Sequence, residues 1–172
     1  MSTLAPKISL RDADAQTRLA TYLNDHLSGS ASGRELARRA LQSNRGNEYG
    51  EVLEDVTRQI EEDVETLLRL MAALDVKPDR IKEALGWTAE KLGRLKLNGQ
   101  LLGYSPLSRM IELEGLMLGI SGKLGLWQAL QVALGDDPRL ADFDLEQLEE
   151  RARQQRQAVE RLRRRAAVEA LT

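Results

Sequence analysis

Few residues in this chain could do chemistry. It has one histidine, His26, and no cysteine, which excludes a thiolate metal site, a disulfide and a cysteine nucleophile. Carboxylates crowd at Glu61, Glu62, Asp63 and Glu65. Imidazole with carboxylate suits iron or manganese, so His26, Glu62 and Glu65 are the candidate metal ligands. Glu112 and Glu114 form a second acidic pair, which can meet Glu54 or Asp55 at a metal or can pair with arginines. Ser28-Gly29-Ser30 lies close to His26, but no recognisable triad activates a serine there. There is no phosphate-binding loop, dinucleotide glycine fingerprint or serine elbow. No enzyme class is signalled, and no resident cofactor is expected apart from the iron or manganese alternative.

Binding chemistry has one local candidate. Residues 80–97 can be written as a helix-turn-helix, with Gly86 at the turn, Leu92 and Leu95 behind it, and Arg94 and Lys96 facing phosphates. Lys82 falls where that motif usually buries a small residue. The chain carries a net charge of −2, which gives no general drive toward nucleic acid or an anionic membrane. Seven arginines between Arg151 and Arg165 are interleaved with Glu and Gln and contain no aromatic for base stacking. DNA binding is therefore an alternative and not the main expectation.

The elements that must position these residues are helices. Leu, Ala, Arg and Glu dominate and aromatics are 3% of 172 residues, a helix-favouring composition for one domain. Residues 1–10 are expected to form a flexible arm, and 11–172 one bundle domain. The opening residues lack the apolar core of a signal peptide, and no apolar run is long enough to span a bilayer. A cytoplasmic location without membrane contact is expected.

The spacing predicts four long helices. The first carries Leu19, Tyr22, Leu23, Leu27, Leu36, Ala37 and Leu41, interrupted by a small-residue patch at Gly29, Ser30 and Gly33. The second carries Leu53, Val56, Ile60, Val64, Leu67, Met71 and Leu74. Nine acids against Arg58 and Arg69 make its stretch strongly acidic, net −7 from Glu48 to Asp75. The third opens at Ser105-Pro106, an N-cap with proline in the first turn. Its stripe holds Met110, Leu113, Met117, Ile120, Leu124, Trp127 and Leu134. Gly115, Gly119, Gly122 and Gly125 interrupt it, and each costs a helix about 1 kcal/mol relative to alanine. The expected reason is close approach of the first helix's small-residue patch, with the third helix at the bundle centre. The last helix follows Asp144, whose capping box is completed by Gln147.

Tight turns join the first two helices and the last two, while residues 76–105 form a long crossover. Short links make antiparallel neighbours, and a long one lets the second and third helices run parallel. This hairpin, crossover, hairpin layout resembles the ferritin-like superfamily of four-helix bundles. The resemblance covers nearly the whole chain through its layout. It implies an all-α ferritin-like fold and, in the di-iron members, a Glu on each of two helices with Glu-x-x-His on the other two. No Glu-x-x-His occurs here, so the complete di-iron site is excluded.

Reflecting helices through their turns puts His26, the Glu61 to Glu65 acids, Lys123 and the Gln154-Gln155 pair near one level. The expected buried polar layer is His26, Asp63, Lys123 and Gln155, with the Lys123 ammonium where ferritin-like relatives hold metal. The function expected is a non-enzymatic binding, assembly or stress-associated role. A homodimer is expected, with Tyr49, Trp87 and Tyr104 as interface residues, and a protein partner is the other possibility.

Overall fold

The computed structural model describes residues 10–79 and 104–172, with side chains from Asp14 onward. The expected arm before Leu10, most of the crossover, Trp87 and the helix-turn-helix-like stretch 80–97 lie outside the described residues. Among the described residues the chain is all-helical. Four long helices, α1 (Leu10–Ser43), α2 (Glu48–Ala73), α3 (Pro106–Leu134) and α4 (Leu145–Leu171), are joined by one 3-10 turn at Pro138–Leu140 and no strand.

Local chemistry sets the ends. Gly46 takes φ +81°, a left-handed conformation that glycine adopts without a Cβ penalty. The Asn47 side chain then accepts from the Tyr49 and Gly50 backbone N–H groups and starts α2. Ser105 Oγ accepts from the Ser108 N–H at 3.1 Å, with Pro106 in the first turn of α3. Asp144 accepts from the Gln147 N–H at 2.9 Å and starts α4.

Side-chain pairings give the directions. α1 packs on α2, α3 packs on both α1 and α4, and α2 meets α4. Arg39 reaches Glu112 while Leu23 and Leu27 share a cluster with Trp127 and Leu130, so α1 and α3 are antiparallel. Glu48 meets Arg165 while Asp63 meets Arg151, so α2 and α4 are antiparallel. It follows that α2 and α3 run parallel on the diagonal. The chain leaves α2 with the Asp79 N–H bonded to Asn24 and returns with the Tyr104 hydroxyl bonded to Asn44. Asn24 and Asn44, the latter just past the end of α1, stand about 30 Å apart at a helical rise of 1.5 Å per residue.

The interior is two apolar clusters stacked along the bundle. One holds Leu23, Leu27, Val64, Leu70, Leu124, Trp127, Leu148 and Ala152. The other holds Ala37, Leu53, Ile60, Leu113, Ile120, Val159 and Leu162. Buried aliphatic area of this kind supplies the main favourable term in folding.

Two expectations about packing need correction. Of the α3 glycines only Gly115 marks a close contact with α1, and it meets Leu36 and not the small-residue patch. A Cβ on Gly115 would crowd the Leu36 side chain, but one on Gly29, Gly33, Gly119, Gly122 or Gly125 would meet nothing within 4 Å. Nor is α3 enclosed on all sides, because Leu118, Gly122, Gly125, Ala129 and Val132 are exposed. Gly119, Gly122 and Gly125 lie on the exposed side of α3, turned away from α1, and Gly29 is exposed on α1.

Candidate functional site

The two apolar clusters meet at a polar layer built from α2, α3 and α4. Asp63 sits one turn after Ile60 and just before Val64, so it shares their inward face. Its carboxylate is only 3% exposed. One oxygen, Oδ1, accepts from the Arg151 guanidinium; the other, Oδ2, accepts from the Lys123 ammonium and from Gln155 Nε2 at 3.1 Å. Lys123 also donates to Gln155 Oε1, and Gln155 Nε2 donates to Gln59 Oε1 at 3.1 Å. Gln155 is 2% exposed, so both ends of its amide are used inside the bundle. Arg151 extends outward to Glu62 at 3.4 Å, and Glu62 also accepts from Arg58 at 2.6 Å.

Asp63 and Glu62 thus face Lys123 and Arg151, and Arg58, which also holds Glu62, is paired in turn with Asp55, so the charges of the layer balance. Burial pulls the Lys123 ammonium below its usual range, Asp63 opposes that shift, and the nearby Arg151 charge adds to it. A charge this deep persists only with a fixed partner. Asp63 is that partner for both cations.

The structure brings Asp63, Lys123 and Gln155 together. It does not bring His26 to them. The His26 imidazole meets the Tyr22 ring edge-on, with centroids 4.7 Å apart, on the half-exposed side of α1. Leu23 and Leu27 take the inward positions of that turn. Burial lowers the His26 pKa and the Asp25 charge opposes the shift. The metal set is dispersed likewise: Glu62 is held by arginines and Glu65 faces solvent. Among the described residues no three His, Asp or Glu side chains stand close enough to hold a metal ion. Glu112 and Glu114 pair with Arg39 and Arg163.

Arg151 escaped the sequence reading, which placed it in a solvated arginine run. Its position one turn before Gln155 was the available signal, because residues four apart share a helical face. A second polar cluster, at the α1–α2 turn, had no sequence signal. There the Tyr104 hydroxyl accepts from Asn44 and donates to Glu112, each at 2.9 Å. Arg109 donates to Asn44 and Glu169, each at 2.7 Å, and lies over the Tyr49 ring at 4.4 Å. Burial, with the Glu112 charge, raises the Tyr104 pKa well above its usual value. Tyr49 is buried beneath Arg109 and Arg165, so it is not the free interface residue expected.

No family model, curated protein or solved structure matches the chain. No described helix is long and apolar enough to cross a membrane.

Proposed function

We propose that this chain is a ferritin-like bundle whose central layer is a salt-bridged lock, and that its role is non-enzymatic binding or assembly. The reading rests on one observation: both oxygens of the buried Asp63 carboxylate are occupied by the protein's own cations, Lys123 and Arg151. A carboxylate so engaged is a poor metal ligand, because a metal would have to displace an ammonium and a guanidinium and leave both buried. The antiparallel hairpins and the parallel α2 and α3 support the ferritin-like assignment. Metal-dependent redox or storage chemistry would need a different ligand set from the one at this level.

Elemental analysis with iron, manganese and zinc titration tests this. The expected result is no stoichiometric uptake by the purified chain, with no change in His26→Ala or Glu62→Gln. Stoichiometric metal that is lost in either variant overturns the reading.

A further inference from the structure

α3 has two apolar seams, and among the described residues only one of them is buried. The inner seam is Leu113, Leu116, Ile120, Leu124, Trp127 and Leu130, all buried. The outer seam is Leu118, Gly122, Gly125, Ala129 and Val132, all exposed, with Leu118 at 76% and Val132 at 90%. Steps of four and three keep these five on one face, a coiled-coil spacing. From Leu116 to Leu134 the only charge is Lys123, and it is turned inward to Asp63. Between Leu116 and Leu134 only Ser121, Lys123, Gln128 and Gln131 are polar, so the helix is apolar on more of its surface than one bundle contact covers. Leu118 and Val132 are the large apolar side chains that α3 exposes, and the seam residues between them, Gly122, Gly125 and Ala129, bring no polar side chain, as suits an interaction site.

We infer that the outer seam of α3 is a homodimer interface, in which it packs antiparallel against the same seam of a second copy. This names the partner for the assembly role proposed above and rests on that reading. Two features select a second copy. The first is self-complementarity about Gly125. With a two-fold axis there, Leu118 faces Val132 of the other copy, and Gly122 comes level, within one residue, with Ala129. Small residues at the crossing let the backbones approach, and the large residues at −7 and +7 fill the space where the helices diverge. A C2 interface requires such a patch, one that complements itself. The second is charge. Apposing two identical patches sets like charges together, and this seam carries none. The helix dipoles are then also opposed.

The seam continues onto α1. Leu19 and Tyr22 of α1, with Ala129, Leu130, Ala133 and Leu134 of α3, line most of an open cleft of about 400 Å³ that Gln16 and Arg139 also border. Leu118 of the second copy lands beside Val132 and Ala133, at the mouth of this cleft.

The natural absence of cysteine makes the test direct. Gly125→Cys introduces one thiol at the two-fold axis, where a Cβ meets nothing within 4 Å. Ala72→Cys, exposed on α2, is the control. The wild-type chain should show twice the monomer mass by light scattering. Oxidation with copper phenanthroline should cross-link Gly125→Cys and leave Ala72→Cys monomeric in denaturing gels. Leu118→Glu with Val132→Glu, both at exposed positions, should keep the helical circular dichroism and weaken dimerisation by roughly tenfold or more. A wild-type monomer at every concentration overturns the inference. So does a dimer that the double variant leaves intact, or one that cross-links no better through Gly125→Cys than through Ala72→Cys. None of these results changes the metal titration, so failure of the interface and failure of the lock are separable.

Discussion

Loss of the Asp63 charge, as in Asp63→Asn, should be the most damaging single change in the polar layer. The amide keeps the shape of the carboxylate and removes its charge. Lys123 and Arg151 then face each other across a neutral group, with side chains only 16% and 27% exposed. Breaking a buried pair in this way costs about 3–5 kcal/mol, mainly from the uncompensated charge left behind. Lys123→Met should be milder, about 1–3 kcal/mol, because Asp63 keeps Arg151 and Gln155 as donors. Asp63→Leu alone should cost at least as much as Asp63→Asn, and combining it with Lys123→Met should recover most of that loss. An apolar pair joins the clusters above and below, and Arg151 turns out to Glu62. Replacing a whole buried ion pair with apolar residues is often neutral or stabilising. Denaturant unfolding followed by circular dichroism reads the cost as a midpoint shift at constant slope. The double-mutant cycle isolates the coupling. Asp63→Asn within about 1 kcal/mol of wild type would refute the lock. A double variant as damaged as the sum of its single substitutions would refute it too.

Three further outcomes follow from local geometry. Gly29→Ala should stabilise by about 1 kcal/mol, the helix-propensity gain, because its Cβ meets open space. Gly50→Ala should destabilise, because its Cβ would overlap the Asn44 carbonyl at the α1–α2 turn; thermal melts of the two variants should move in opposite directions. Asp137 holds Arg139 and caps the 3-10 turn, and those hydrogen bonds lower its pKa to about 2. A depressed folded-state carboxyl contributes stability above its unfolded pKa of about 4, and loses it as pH falls toward 2. Asp137→Asn should therefore flatten the fall in stability between those values. An unchanged acid-unfolding profile would contradict the pairing.

The helices and their ends could be read from local sequence because each depends on near neighbours. Ser105-Pro106, Asn47 and Asp144 each cap with their own backbone a few residues on. The stripe of α2 is equally local, a matter of period. The level shared by Asp63, Lys123 and Gln155 was also legible, since turn positions and a constant rise per residue set the register of antiparallel helices. Rotation about each helix axis was not. It depends on how large side chains on two surfaces interlock. That rotation turns His26 toward Tyr22, brings Arg151 rather than a histidine to Asp63, and takes Gly119 and Gly122 away from α1. It also joins Asn44 to Tyr104 and Arg109, which lie 60 and 65 residues further along the chain. By itself, then, the sequence determined that this chain makes capped helices with inward stripes, and that it lacks the Glu-x-x-His pair of the usual di-iron site. Tertiary packing alone decided which charges meet in the centre and which apolar seam faces outward, because both depend on helix rotation, and no local interaction sets that angle.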